Sequence, residues 1–401
     1  MEFAFAPDDL GFIADPYPVY AEMRAGTPIW YHEPTDHWLV SRFTDVNALL
    51  RDRRFGRTYH HVATHAEMGR PEEPDWHGPF WHLIRSGILD MEPPDHTRVR
   101  GLVSKAFTPR MVEGMREPIQ RMMDGLIDGI DGAGEFDLIA TLAEPLPVAV
   151  IAELLGVPDN DRHLLRPWSA DICGMYELRP SEETARTAVR ASVEFSEYLR
   201  TLSRLRRAEP QDDLISALAQ VVDDGRRLTE DELIGTCVLL LNAGHEATVN
   251  VTGNGWWSLF RNPDQLARLL GDAGLVPRAV EELMRWDTPL QMFERWVLED
   301  SEVCGVRVPK GAELGLLFGS ANRDPDVFGH PDDLDVGREP NPHVSFGAGV
   351  HFCLGAPLAR LELQTSFATV LRRLPTLQLV EEPAWKPNYI IRGLRELRVA
   401  A

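Results

Sequence analysis

The dominant pattern along the chain is a long apolar helix signal between residues 229 and 262. Thr229 and Glu232 carry the capping-box spacing that opens it, and Pro263 closes it. At 1.5 Å per residue such a helix is about 50 Å long, enough to cross a domain. Residues 237–241 at its centre are apolar on every side, which predicts burial. Ahead of it, residues 111–228 read as mostly helical, with breaks at 132–134, Pro158 and Glu209-Pro210-Gln211. Near the N-terminus the pattern shifts to short extended runs. Residues 28–31 and 37–40 flank a Pro-Thr-Asp turn and predict a hairpin, followed by a helix over 45–51. Beyond the long helix, residues 299–310 and 312–317 read as strands. A last helix is predicted from Leu358, Leu361, Thr365, Ala368 and Leu371, spaced three and four apart.

Residues 60–89 follow neither period. A stretch of that length inside a compact domain is usually a lid or binding loop. Its Trp76, Phe80 and Trp81 suit an apolar ligand, although the same rings could equally pack on one another.

Composition narrows the classes. The 401 residues, 44% of them apolar, are ordinary for a globular protein and allow one large domain or several small ones. No run approaches the roughly 18 apolar residues of a membrane span. Residues 1–10 are acidic and lack the basic region and apolar core of a signal peptide, so a cytoplasmic protein is expected. A net charge of −21 argues against binding nucleic acid or an anionic membrane. The four cysteines, Cys173, Cys237, Cys304 and Cys353, have the spacing of neither a zinc site, an iron–sulfur cluster nor a disulfide framework. Any electrons must come from a separate partner.

One cysteine stands apart. Residues 346–355 read F-G-A-G-V-H-F-C-L-G, and Cys353 is framed by Gly347, Ala348, Gly349, Gly355 and Ala356 just before the last helix. Glycines permit positive φ and a close approach to something flat and large. A helix N-terminus favours thiolate over thiol. Cys353 is then either a buried thiol, the common fate of such residues, or the axial ligand of a haem iron. Elsewhere, His96 and Arg100 lie at i, i+4 and could reach one anion. Glu246 is an acid in a buried helix, and Gly244 beside it costs about 1 kcal/mol relative to alanine. Glu282 and Arg285 are placed to pair at i, i+3.

The ten residues around Cys353 match the haem-ligand loop of the cytochrome P-450 family, F-G-x-G-x-H-x-C-x-G, and Glu282-Leu283-Met284-Arg285 matches its E-x-x-R. Residues 243–248, A-G-H-E-A-T, resemble its oxygen-binding motif (A/G)-G-x-(D/E)-T, except that Ala247 stands where threonine is usual and Thr248 follows. The resemblance extends over essentially the whole chain. It implies a mainly α-helical protein with small β-sheets, a single domain over residues 1–401 that encloses haem b, of the soluble bacterial type.

By that resemblance Cys353 ligates the iron, and Gly244, Glu246, Ala247 and Thr248 serve oxygen activation. His96, Arg100, Arg295 and His351 hold the propionates, while Ala243, Phe346, Gly347 and Gly355 line the haem. Substrate contacts fall to Trp76, Phe80, Trp81, Ile84, Leu89, Leu240, Leu290, Phe293 and Ile390. Asn322-Arg323-Asp324-Pro325 and residues 335–338 also resemble the family's meander, where an arginine completes a triad with the E-x-x-R pair. The implied activity is insertion of one atom of O2 into an apolar small molecule, typically a C–H hydroxylation of the kind met in secondary metabolism. Electrons would come from ferredoxin and ferredoxin reductase, steered by a basic patch of Arg98, Lys105, Arg110 and Arg360. Rival readings are a peroxide-dependent or non-redox thiolate-haem enzyme, and a haem-based ligand sensor or carrier. Alanine at 247 offers no side-chain hydrogen bond, so either Thr248 or a polar group on the substrate supplies it.

Overall fold

The hairpin forms as its pattern predicts: β1 (Ile29–His32) and β2 (His37–Val40) run antiparallel, with Ile29 opposite Val40. The turn between them is a single 3-10 turn, Glu33–Thr35, followed by Asp36 at φ 57. This computed structural model describes residues 2–130, 132 and 134–401, so the break read at 132–134 lies partly outside the described residues. Further strands are β3 (Phe55–Gly56), β4 (Glu135–Asp137), β5 (Met292–Val297), β6 (Ser301–Val303), β7 (Val306–Val308), β8 (Glu313–Leu317), β9 (Gln378–Leu379) and β10 (Arg398–Ala400). They make one five-stranded sheet in the order β1-β2-β8-β5-β3, a three-stranded sheet β4-β10-β9 and the ribbon β6-β7. The helices that position the functional residues are α1 (Gly78–Arg85), α2 (Asp95–Ala106), α3 (Pro145–Leu155), α4 (Leu165–Cys173), α5 (Glu182–Ala208), α6 (Glu230–Arg261), α7 (Val276–Trp286) and α8 (Ala356–Arg373). The architecture is mainly helical with small sheets.

The chain divides into two compact units, one of residues 1–55, 119–146 and 247–401, the other of residues 56–118 and 147–246. In the first, β2 pairs parallel with β8, and β8 antiparallel with β5. Alternation sends Val40, Leu314, Leu316 and Val297 into an apolar cluster on one face of the sheet. On the other face, the rings of Phe3 and Phe5 pack edge-on against Trp30 and His32. Helices α7 and α8 meet α6 at Gly255, where a β-carbon would come within 3.1 Å of Leu283 and 2.9 Å of the Phe367 ring. The Glu282–Arg285 pair is fully buried, and Arg338 joins it with Nε 3.0 and 3.1 Å from the Glu282 oxygens.

In the second unit the capping box at the start of α6 is real. The Thr229 amide donates to Glu232 at 2.9 Å, and the Glu232 amide donates to Thr229 Oγ1 at 3.1 Å. Gly235 on α6 lies against the backbone of Ser86 and Gly87, where a β-carbon would meet main-chain atoms at 2.7 and 2.8 Å. Helices α4 and α5 pack together through Trp168 stacked on Phe195 at 5.0 Å. The aperiodic stretch at 60–89 contains α1, with Phe80 and Leu83 buried on its inner face. Eight residues make barely two turns, too few for a repeating period to emerge from sequence.

Candidate active site

Cys353 emerges where the sequence places it, one turn ahead of α8. Gly347 and Gly349 take φ of 67° and 69°, conformations that carry little penalty only for glycine. A β-carbon at Gly349 would also collide with the Leu50 carbonyl oxygen. The Cys353 amide donates to the Phe346 carbonyl at 2.9 Å, closing the loop upon itself. Cys353 is half-buried, whereas Cys173 and Cys237 are buried. Burial raises the pKa of the Cys173 thiol and pushes those of Cys237 and Cys304 up to about 12. Those three remain protonated thiols at neutral pH; Cys353 alone sits in a glycine cradle at a helix start. Arg360, one turn into α8, lies over the Phe346 ring at 4.4 Å, and the Cys353 charge is among the influences that raise its pKa, after the larger effect of Glu281.

The cradle is pinned from behind by residues that sequence reasoning did not single out for this role. Asn322 accepts from the Val344 amide at 2.8 Å and donates to Ser345 Oγ at 2.9 Å, and Ser345 Oγ donates to the Met284 carbonyl. Glu281 takes two hydrogen bonds from Arg360, at 2.7 and 2.8 Å, and one contact from His343 at 3.1 Å. Burial works to raise the Glu281 pKa, but Arg360 and His343 outweigh it and hold it at about 2. The Asn322-Arg323-Asp324-Pro325 stretch was the only signal in sequence that pointed here.

In the same unit, Arg295 on β5 is buried, donates to the Glu294 carbonyl at 2.9 Å and covers the Phe293 ring at 4.6 Å. His351 is half-buried in the 3-10 turn Gly349–His351. Leu290 pairs by an isolated bridge with Ile391, beside the buried Ile390, and Phe293 is half-buried. These residues, with Cys353 and Phe346, combine a soft thiol, buried or half-buried cationic groups and apolar surface. That donor set fits a haem with its thiolate-bound iron and its carboxylates.

The second unit carries the other predicted residues. On α2, His96 is buried and Arg100 half-buried. Along α6, Ala243 is exposed and Leu240, Gly244, Glu246 and Ala247 are half-buried, whereas His245 and Thr248 are buried. Glu246 is thus less enclosed than its apolar surroundings in sequence suggested, and its neighbour His245 takes the interior position, with Nδ1 3.3 Å from Ser169 Oγ. Gly244 has a packing reason of its own: a β-carbon would come within 2.9 Å of the Ile151 tip on α3. Trp76, Trp81, Ile84 and Leu89 are half-buried, and Phe80 is fully buried. Trp81 lines an open cavity of about 500 Å³ with His65, Glu73, Arg85 and Ser86. Of the four cations assigned to a basic patch, Arg98 pairs with Glu232, Lys105 with Asp223 and Arg360 with Glu281. These acids cancel most of the positive charge that such a patch needs.

The cytochrome P450 family profile matches residues 68–384. The chain is 41% identical to cytochrome P450 107B1 of Saccharopolyspora erythraea, over 98% of this chain and 96% of that one. It is 36% identical to 6-deoxyerythronolide B hydroxylase of the same organism, covering 97% and 96%. Among solved structures it matches P450BioI in complex with an acyl carrier protein ligated by hexadec-9Z-enoic acid, with TM-score 0.91, 36% identity and coverage of 98% and 99%. No helix among the described residues is long and apolar enough to cross a membrane.

Proposed function

Because the chain belongs to the cytochrome P450 family of haem-thiolate monooxygenases, we propose that it inserts one atom of O2 into an apolar small molecule, most simply as a C–H hydroxylation in secondary metabolism. The observation that carries the reading is the Cys353 cradle, the one cysteine environment suited to a thiolate. Cys353 would bind the iron, and His96, Arg100, Arg295 and His351 would hold the propionates by charge-assisted hydrogen bonds. Ala243, Phe346, Gly347 and Gly355 would border the ring. The bound haem supplies dioxygen activation, which the thiolate promotes by donating electron density to iron. A separate ferredoxin and its reductase would deliver electrons, in keeping with the absence of iron–sulfur cysteine spacing. The relative named as a hydroxylase of 6-deoxyerythronolide B supports hydroxylation. The reduced, carbon monoxide-bound protein should show the long-wavelength band of thiolate ligation. Cys353→His should lose that band while retaining haem, and retention of the band in Cys353→Ala overturns the assignment.

Ala247 sharpens the substrate. It shares the open side of α6 with Ala243 and Gly244, while Thr248 is buried. A hydroxyl at 247 would face that side, but alanine has none. The substrate would therefore bring its own polar group within hydrogen-bond reach of the reacting oxygen, and Glu246 would serve proton delivery. Thr248→Ala should leave the ratio of product to reductant consumed nearly unchanged. A substrate analogue lacking the polar group should release peroxide instead. If Thr248→Ala abolishes coupling, the hydroxyl comes from the protein.

A further inference from the structure

The sheet of the first unit gathers three groups that the oxidation chemistry does not use. His37 on β2 stands opposite Glu313 on β8, and Glu313 stands opposite Trp296 on β5, two residues from Glu294. Side chains alternate along a strand, so His37, Glu313 and Glu294 share one face across three adjacent strands. Beside them the face is closed over Gly315, opposite Glu294, by the side chains of Met292 and Leu39, which a β-carbon there would meet at 2.5 and 2.7 Å. The His37 Nε2 lies 3.7 Å from a Glu313 oxygen and 3.8 Å from a Glu294 oxygen. Their side chains are 8%, 14% and 30% exposed, so the imidazole is enclosed while the carboxylates open toward water.

The tautomer follows from geometry. The His37 Nδ1 is 2.5 Å from the Thr35 carbonyl oxygen, which can only accept, so Nδ1 carries a hydrogen. That contact fixes the ring and aims Nε2 between the two carboxylates, where it makes no hydrogen bond. A neutral ring would therefore turn a lone pair toward two anions, an arrangement that a cation resolves. A backbone carbonyl holding the far nitrogen of a histidine is the usual outer support of a metal-binding imidazole.

We propose that His37, Glu294 and Glu313 form a binding site for one divalent transition-metal ion, zinc being the best match, which ties β2, β8 and β5 together. The three donor atoms lie within 4.8 Å of one another. Ligands on a tetrahedral zinc lie roughly 3.4 Å apart, so small side-chain rotations close the site. Water from the exposed edge would fill the remaining position. An imidazole donor disfavours magnesium and calcium, which prefer oxygen alone. A second group, His60, His65 and Glu73, has similar spacing. There Glu73 already pairs with Arg85, whose charge opposes a cation. Burial alone would lower the His37 pKa, but the two carboxylates and the Thr35 carbonyl raise it overall, so a proton is the natural competitor for the same place.

The test titrates zinc chloride into the haem-loaded enzyme by calorimetry near neutral pH, after treatment with chelator and its removal. One ion per chain should bind at this site with release of protons, and zinc should raise the Tm. His37→Gln and Glu313→Gln should each weaken that event roughly tenfold or more, and His65→Gln should leave it intact. Glu294→Gln, which keeps the ring in place, should also weaken it and covers the case in which His37→Gln folds poorly. Each variant is first checked for an unchanged carbon monoxide difference spectrum. The proposal is overturned if no such event is seen, if it survives both His37→Gln and Glu313→Gln, or if it is lost with His65→Gln alone.

Discussion

Two acids at helix α8, one reached from it and one on it, are in opposite states. On one side Arg360 reaches out to Glu281, which also meets His343 and is held at about 2. Two residues along, about 200° around the helix, Glu362 is 2% exposed and its Oε1 has no hydrogen-bond partner among the described residues. Burial pushes the Glu362 pKa up to about 8. The residue type is the same, but Glu281 on α7 is partly exposed and has two cationic partners, whereas Glu362 on α8 is enclosed with Oε1 unpartnered among the described residues. A buried carboxylate with donors stays charged, and one without them keeps its proton. On α7 the same rule reaches its limit in Glu282, next to Glu281. It is fully buried yet accepts from Arg285, Arg338, Asn341 and the Asp335 amide.

The largest expected effect breaks the most heavily partnered acid. Glu282→Ala leaves Arg285 and Arg338 with buried charge and should cost about 3–5 kcal/mol. Urea unfolding would register this as a lower midpoint, with weakened haem retention. A cost within 1 kcal/mol of zero would mean that the cluster is dispensable.

Glu362 comes next. Its folded-state pKa of about 8 exceeds the ordinary 4.5, so the folded protein binds the extra proton between those values. Stability should then fall as pH rises across that window, by up to about 1.4 kcal/mol per pH unit from this group. Glu362→Gln should flatten the fall, read as Tm against pH from 5 to 8. Identical slopes in both proteins would show that Glu362 is partnered after all.

Glu281 should give a smaller effect of opposite sign. Its pKa is depressed from 4.5 to about 2, so its contribution is complete above 4.5 and is lost as pH falls toward 2. Glu281→Gln should cost about 2 kcal/mol at pH 7 after allowance for partial exposure, and the difference should shrink in acid. An undiminished difference at pH 2.5 would assign the effect to packing instead of charge.

Much of this chain could be read before folding. Local rules wrote α6, since Thr229, Glu232 and Pro263 mark its ends within a few residues of each boundary. The Cys353 cradle was equally legible, because positive φ at Gly347 and Gly349 is a property of single residues. The Glu282–Arg285 pair follows from i, i+3 spacing alone. By contrast, α1 was hidden within 60–89, because its burial depends on packing outside its own eight residues.

What the sequence alone determined is what nearest neighbours decide: helix ends, the glycine turn before a thiol and the family motifs that imply haem. What only the tertiary structure decided involves partners distant in the chain. Whether Ala247 or Thr248 takes the open side of α6 depends on what packs against the helix, not on its own spacing. Ile151, 93 positions away, supplies a reason for Gly244 that its neighbours do not reveal. His37, Glu294 and Glu313 meet because β2 pairs parallel with β8, a contact across 276 positions. The ionisation of Glu281 and Glu362 likewise depends on which donors reach them in space. Electrostatic energies depend on distance and burial, and the order of residues fixes neither until the chain has closed on itself.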